Sequence, residues 1–210
     1  MIIPKKILEI RKVASDDPTR GAIHAVKLDQ HDKQTHAIAT DGKILIKASW
    51  ENIDESDYPV VPGAHEIPNP LPAGLLPLQV AAAIQKSIKA KKSYLPILNT
   101  AKITFSVSAE GTLNGRAITT DLETPVVMPF ICDIGQFPNY EQVMGAEKSI
   151  IREIIFSVET LKKLVSALEG MDIPGFTLGI TANEGGPMRI TASGEGLEIV
   201  GALMPGKKPK

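Results

Sequence analysis

The chain has 210 residues, of which 43% are hydrophobic and 22% charged, and its formal net charge at pH 7 is −1. This size and composition predict a globular protein of one or two domains with a substantial core. No apolar run approaches the ~20 residues needed to cross a bilayer, and the N-terminus MIIPKKILEIRK lacks a secretory signal, so we expect a cytoplasmic protein with no membrane partner. The single cysteine, Cys132, excludes an intrachain disulfide and is expected in the core.

Basic residues are concentrated in two segments. Residues 3–15 carry four basic side chains and one acidic, and residues 77–94 carry four lysines and no acid, which leaves a net charge of −8 on the rest. Because both segments are interpreted as helices, the nearly neutral total can hide a positive face on an acidic body. The alternative is that these lysines only solvate helix surfaces.

In chain order, the first predicted element is a helix over residues 4–14, which has Pro4 near its first turn. Its apolar stripe is formed by Ile3, Ile7, Ile10 and Ala14. Strands are predicted next, rich in isoleucine and valine, over residues 22–28, 35–39 and 43–49. Asp41-Gly42 is predicted to be the hairpin turn between the last two strands. The proline-rich stretch VVPGAHEIPNPLPAG is predicted to be a loop or linker.

The same order of elements returns twice. A helix is predicted over residues 77–90, followed by strands in KITFSVS, TLNGRAIT and TPVVMPFIC. A strand in IIREIIF then precedes a helix over residues 158–169, which begins after the N-cap Ser157 and is stopped by Gly170. Strands in FTLGITA, MRITA and LEIVGAL complete the set. The repeated unit is β-α-β-β-β, or α-β-β-β where the first strand is missing, which suggests internal duplication.

No constellation of residues points to catalysis. His31 and His36 with Asp32 could be imagined as metal ligands, but their spacing matches no zinc motif with a third ligand. The chain shows no phosphate-binding glycine loop, nucleophile elbow or paired-carboxylate motif. We therefore expect no enzyme, no cofactor and no metal.

Three short motifs carry a family resemblance. The stretch HAIATDGKIL, at residues 36–45, resembles the ATDG-x-[RK]-L hairpin of the bacterial sliding clamp, the β subunit of DNA polymerase III. FPNY at residues 137–140, followed by Val143, resembles the family's FPDY-x-x-V connector, and Leu203-Met204-Pro205 resembles its C-terminal VMPM-R-L. The three motifs occur in the family's order, and the resemblance covers nearly the whole chain at low identity.

The resemblance implies an α+β, DNA-clamp-like fold of repeated β-α-β-β-β units with helices on one side of antiparallel sheets. Family chains have six such units, whereas this chain has room for three, so we expect a shortened form. The expected division is a clamp-like domain 1–135 made of half-units 1–62 and 63–135, a connector 136–147, a C-terminal half-domain 148–206 and a basic tail 207–210.

The resemblance also implies two sets of site residues. The expected peptide-binding residues are Thr40, Gly42, Lys43, Ile44, Leu45, Pro138, Val143, Ala202, Met204 and Pro205. Tyr140 would anchor the connector, with Phe137 packed inward, although the connector could equally be structural only. The expected DNA-facing residues are Lys5, Lys12, Lys86, Lys89, Lys162 and Lys163. Thr19, Gly206 and Lys207 depart from the family pattern and would shrink and polarise the pocket.

The function implied is that of a non-catalytic, DNA-associated processivity or docking factor. Its partners would be double-stranded DNA, bound independently of sequence, and DNA polymerase or clamp-loader-type proteins that carry short linear motifs. The alternative is a protein-interaction adaptor or decoy that keeps the peptide pocket without encircling DNA, and a more distant one is an enzyme on a clamp scaffold. Monomers and homo-oligomers are both compatible with the sequence.

Overall fold

The computed structural model describes residues 1–54, 69–89, 95–132, 135–144, 155–180 and 186–206. The strands within this part are β1 (Ile2–Pro4), β2 (Ala25–Gln30), β3 (Gln34–Thr40), β4 (Ile44–Glu51), β5 (Ala73–Pro77), β6 (Thr100–Val107), β7 (Leu113–Thr120), β8 (Pro125–Ile131), β9 (Thr177–Gly179), β10 (Met188–Gly194) and β11 (Leu197–Leu203). The α-helices are α1 (Leu78–Ser87), α2 (Tyr140–Met144) and α3 (Val158–Gly170). Three further helices are of the 3₁₀ type and span Lys5–Val13, Pro18–His24 and Pro96–Asn99.

Two antiparallel sheets are interlocked by an exchange of first strands. One sheet has the order β1-β6-β7-β8, and the other has the order β5-β2-β3-β4-β11-β10-β9. The short strand β1 therefore pairs with β6 of the second unit, while β5, which opens the second unit, pairs with β2 of the first. Each sheet therefore includes a strand that is adjacent in sequence to strands or helices of the other sheet's part of the chain.

The helices pack together against one continuous core. The 3₁₀ helix Lys5–Val13 contacts both α1 and α3 and also lies against β3 and β4. The buried cluster includes Ile10 of this helix, Ile84 of α1 and Leu164 of α3, together with residues of both sheets. Helices are thus found at the three positions predicted from the sequence, and α3 has the predicted N-cap, since the side chain of Ser157 accepts a hydrogen bond from the N–H of Thr160.

The first helix differs from the prediction in its type. It is a 3₁₀ helix and not an α-helix, and of its four buried side chains Ile7, Ile10 and Val13 recur at every third residue, with Leu8 as the fourth. A helix with three residues per turn places residues i, i+3 and i+6 directly above one another. Ile3, which we assigned to the helical stripe, belongs to β1 instead. The spacing of buried residues therefore fits the tighter helix better than the α-helical period.

Two strands, β1 and β5, were not predicted from the sequence, and other strands differ from their predicted positions. Strand β1 carries little pattern because it has only three residues, and residues Ala73 and Gly74 of β5 lie in a proline-rich stretch. Each of these strands lies at an edge of its sheet, where prolines are tolerated. Residues 22–24, predicted as strand, belong to the 3₁₀ helix Pro18–His24. The predicted strand IIREIIF lies mostly outside the described residues.

Within the part of the chain that the structure describes, β8 forms a free edge of the four-stranded sheet, and this edge carries two prolines. The N–H of Cys132 donates to the carbonyl of Leu113, so the alternating antiparallel pattern directs the even-numbered residues of β8 toward β7. The nitrogens of Pro125 and Pro129 therefore face away from the sheet. A proline nitrogen carries no hydrogen, and its ring occupies the space where a further strand would approach. The edge is thus closed to regular strand addition around Pro129.

A close backbone contact joins the C-terminal segment to the first unit. Strand β11 pairs antiparallel with β4 from Glu198 opposite Ser49 to Leu203 opposite Ile44. A Cβ at Gly201 would lie 2.4 Å from the carbonyl oxygen of Leu45, so only glycine allows the observed approach at this point. This seam aligns the hairpin after β3 with the residues that follow β11.

Candidate functional site

The hairpin between β3 and β4 is stabilised by side chains of its own turn. Oδ1 of Asp41 accepts hydrogen bonds from the N–H groups of Lys43 (2.8 Å) and Ile44 (2.9 Å). The hydroxyl of Thr40 donates to the carbonyl of Ile44 (2.7 Å) and accepts from the N–H of Gly42 (3.0 Å). Gly42 has a φ of 88°, which a residue with a Cβ rarely adopts. The Thr-Asp-Gly sequence therefore specifies the turn as predicted.

Two cations from distant segments hold the hairpin in place. Arg20 Nη1 donates to the carbonyl of Asp41 at 2.7 Å, with its guanidinium packed over Gly42. Nζ of Lys163 in α3 lies 3.7 Å from Oδ2 of Asp41 and 3.7 Å from Oδ2 of Asp16. Arg20 was not among the residues predicted for the site, and Lys163 was predicted only to face DNA. No local signal could reveal these contacts because they join residues far apart in the chain.

The connector lies across the outer face of the seven-stranded sheet. Tyr140, the first residue of α2, is 5% exposed and packs in a cluster with Ile38 and Leu45, against which Phe137 and Met144 also lie. The rings of Phe137 and Tyr140 meet edge to face with centroids 6.5 Å apart. The connector is therefore packed onto the sheet through its aromatic residues, as expected for Tyr140 as an anchor.

Charged and titratable groups surround the Tyr140 ring. The ammonium groups of Lys27 and Lys47 lie 4.9 Å and 5.8 Å from the ring centroid, within the range of cation–π attraction. Burial raises the pKa of the Tyr140 hydroxyl, with smaller contributions from Asp29 and Glu141. Tyr140 is therefore protonated at neutral pH, and its ring supplies an apolar body between two cations.

His36 lies on the same outer face and is held in its neutral form. Its Nδ1 is 2.9 Å from the hydroxyl of Ser49, the residue opposite it on β4. Burial, and to a smaller extent the charges of Lys47 and His31, lower the pKa of His36 to about 4, whereas Asp29 opposes them. At neutral pH His36 is thus an uncharged hydrogen-bonding residue.

The C-terminal segment forms the third side of the site. The N–H of Met204 donates to the carbonyl of Lys43 at 2.8 Å, and the N–H of Gly206 donates to the carbonyl of Ile155 at 2.6 Å. Helix α2 of the connector contacts β11 directly. The hairpin, the connector and the C-terminal segment, which are far apart in the sequence, therefore meet on one side of the molecule.

The residues predicted for the peptide site differ in their exposure. Met204 and Val143 are each 39% exposed, whereas Leu45 is 6% exposed and packs beneath Tyr140 of the connector. Ile44 is a correction to the predicted set. It is 1% exposed and packs in the main core, on the sheet face opposite to Leu45, so a docked peptide could not reach it. The remaining members are buried (Thr40, Ala202), half-buried (Pro205) or exposed (Gly42, Lys43, Pro138).

Several lysines predicted to face DNA have partners within the chain. Lys5 donates to the carbonyl of Ile88, at the C-terminal end of α1. Lys12 forms an ion pair of 2.6 Å with Oε2 of Glu9 and lies 3.3 Å from the hydroxyl of Ser166 in α3. These two ammonium groups therefore contribute to the packing of the helices.

The other predicted lysines are more accessible. Nζ of Lys89 lies 3.7 Å from Asp121, and the Lys89 side chain is 82% exposed. Lys86 and Lys162 are exposed, and neither forms an ion pair within the described part of the chain. Of the six lysines predicted to face DNA, Lys86, Lys89 and Lys162 are therefore the most accessible to an approaching polyanion.

The histidine pair does not form a metal site with Asp32. The rings of His31 and His36 are 5.1 Å apart, and Nε2 of His31 lies 3.7 Å from Oδ1 of Asp29. Within the described ranges, no three histidine, cysteine, aspartate or glutamate side chains are placed to hold a metal ion. The same ranges contain no helix long and apolar enough to span a membrane.

The interlocked sheets, the three helical segments and the seam between β4 and β11 define a clamp-type α+β fold. Comparison with solved structures gives the particular fold. The chain aligns with the DNA polymerase III β subunit of Borrelia burgdorferi, solved with a natural product, at a TM-score of 0.63 and 10% identity, covering 100% of this chain and 64% of that chain. The chain aligns with the sliding clamp of Pseudomonas aeruginosa at a TM-score of 0.63 and 11% identity, covering 99% of this chain and 66% of that chain.

A third match is the sliding clamp of Bartonella birtlesii bound to griselimycin, at a TM-score of 0.62 and 14% identity, covering 99% of this chain and 65% of that chain. No family model and no curated protein matches the chain. The chain thus has the fold of bacterial sliding clamps, and it spans about two thirds of the length of those it matches. This confirms the fold class expected from the three motifs.

Proposed function

We propose that the protein is a non-catalytic docking factor of the sliding-clamp type, which associates with DNA and tethers polymerase or other replication and repair proteins through short peptide motifs. The observation that carries the proposal is the convergence of three distant segments, hairpin 40–45, connector 136–144 and residues 202–206, on one side of the molecule. We further propose the division into a two-unit domain 1–135 and a C-terminal half-domain 148–206.

The site offers the features that peptide recognition needs. Val143 and Met204 expose apolar surface, and Leu45 packs beneath Tyr140 of the connector. Pockets for short motifs are lined by aliphatic groups with few polar orienting groups, and the flexible methionine side chain adapts to varied anchors. The hydrophobic or aromatic anchor of a partner peptide would bury itself here, where one central contact is typically worth ~2 kcal/mol or more.

DNA association is supported by charge. Lys86 of α1 and Lys162 of α3 are exposed. Most of the basic charge that is concentrated in residues 3–15 and 77–94 lies on helices. Contacts to phosphates give attraction without sequence preference, through release of counter-ions. An open form would bind DNA with a dissociation constant no tighter than about 10⁻⁴ to 10⁻⁶ M at physiological salt.

A second candidate function is an adaptor or decoy that docks peptides without holding DNA. The observation in its favour is that the ammonium groups of Lys5, Lys12 and Lys163 are directed to partners within the chain. These contacts reduce the charge available to DNA. Electrophoretic mobility at low salt separates the two candidates, because the adaptor would leave duplex DNA unshifted.

Titration of a clamp-binding-motif peptide tests the docking role. We expect saturable binding by the wild type and weaker binding by Met204→Ala, because it removes apolar contact with the anchor, and by Leu45→Ala, because it loosens the packing beneath Tyr140. Val107→Ala is the matched control, since Val107 is also exposed but lies at the end of β6. Thermal melts establish that each variant folds. Absence of saturable binding at millimolar peptide would contradict the docking role.

A further inference from the structure

The side chain of Lys163 joins helix α3 to the hairpin. Its Nζ is shared between the carboxylates of Asp41 and Asp16, at 3.7 Å from each. The side chains of Lys163 and Asp41 are 23% and 12% exposed, whereas that of Asp16 is 87% exposed. Because water is largely excluded from the pair with Asp41, that attraction is stronger than between exposed groups at the same distance.

The carboxylate that Lys163 neutralises also shapes the hairpin. Its other oxygen accepts the N–H groups of Lys43 and Ile44. Helix α3 also adjoins the C-terminal segment, because Ile155, two residues before its N-cap, accepts the N–H of Gly206. One helix therefore supports two of the three segments that form the candidate peptide site.

We propose that Lys163 is a positioning residue for peptide docking and that it couples docking negatively to DNA binding, an inference that rests on the proposed function. The single ammonium group of Lys163 cannot form equally strong ion pairs with Asp41, Asp16 and a DNA phosphate at the same time. Phosphates that approach α3 compete for Lys163, and the carboxylate of Asp41 then loses its counter-ion. Coupling between two binding sites is reciprocal, so bound peptide weakens DNA binding by the same factor.

The positioning role is tested without any ligand. Amide hydrogen exchange, measured by NMR, follows the N–H groups of Lys43 and Ile44. We expect faster exchange at both in Lys163→Met and restoration toward the wild-type rate in Lys163→Arg, which keeps the positive charge. Lys162→Met is the matched control, since it removes the same charge from the same helix. Equal exchange rates in Lys163→Met and Lys162→Met would overturn the positioning role.

The coupling is tested by peptide titration with and without saturating duplex DNA at low salt. In the wild type and in Lys33→Met, which removes an exposed charge outside the proposed sites, DNA is expected to weaken peptide binding about fivefold, the lower end of typical coupling between sites. Lys163→Met should bind peptide more weakly without DNA and show no DNA effect. An equal DNA effect in Lys163→Met and the wild type would overturn the coupling.

The failure of this inference is distinguishable from failure of the proposed function. If the wild type binds neither peptide nor DNA, the proposed function and the coupling both fail, and amide exchange still decides the positioning role. If the wild type binds both ligands independently, the proposed function stands and the coupling is wrong.

Discussion

Substitution Gly201→Ala tests the seam that brings the C-terminal segment to the hairpin. The added Cβ would lie 2.4 Å from the carbonyl oxygen of Leu45 and 3.3 Å from Cα of Ile46. Both are backbone atoms of β4, so no side chain can rotate to relieve the contact. Strand β11 would have to shift away from β4 and weaken the hydrogen bonds of their ladder.

The expected cost follows from the overpacking of an interior. Extra methyl groups that force backbone shifts typically cost 1–3 kcal/mol, and we expect Gly201→Ala to lower the free energy of unfolding by roughly 2 kcal/mol. For a chain of this size, that loss corresponds to a decrease in melting temperature of about 4–8 °C. Because Met204 donates its N–H to Lys43 just beyond the seam, affinity for peptide should fall as well.

Urea denaturation compares Gly201→Ala with Gly175→Ala as the control. No atom lies within 4 Å of a Cβ built at Gly175, so that alanine meets no obstacle, and it restricts the unfolded chain. We expect Gly175→Ala to be as stable as the wild type or slightly more stable. If Gly201→Ala were as stable as Gly175→Ala, the close packing of β4 and β11 would be refuted.

Three further predictions concern charge, the free edge and pH. With duplex DNA, Lys86→Glu combined with Lys89→Glu should reduce the slope of log binding constant against log salt concentration by about 2. The control Lys33→Glu should reduce DNA affinity less, and an unchanged slope in the double variant would exclude α1 from the DNA surface. Pro129→Thr restores an outward N–H on the edge of β8, so sedimentation should detect more self-association than in the wild type, and an unchanged mass would contradict the blocking role. The folded-state pKa of His36 is about 4, below its ordinary 6.5, so the unfolded state binds more protons between these values and stability should decline as the pH falls through this window. Urea denaturation at pH 7 and pH 5 measures this loss of stability, which should be smaller in His36→Gln. An equal loss in His36→Gln and the wild type would contradict the lowered pKa of His36.

The fold could be predicted where local pattern and turn chemistry agree. The hairpin at Asp41-Gly42 was predictable because a carboxylate and a glycine specify that turn by themselves. The N-cap Ser157 was predictable for a similar reason. By contrast, β1 and β5 are short strands that each pair with the other unit, and no local pattern records such an exchange.

The candidate site was predictable only in part. The motif resemblance named the three segments, but it could not distinguish the faces of a strand, so it included the core residue Ile44 beside Leu45. It also treated lysines as solvent-facing. The position of Lys163 beside Asp41 depends on how α3 packs against the rest of the protein, which periodicity does not determine.

The central claim is that three distant segments form one peptide-docking site. NMR chemical-shift mapping of the isotope-labelled protein with a clamp-binding-motif peptide tests it most directly. We predict saturable shift changes that include the backbone amides of Lys43, Val143 and Met204, one from each segment, with few changes at the far end of β6. Shift changes confined to a single segment, or none at millimolar peptide, would contradict the claim.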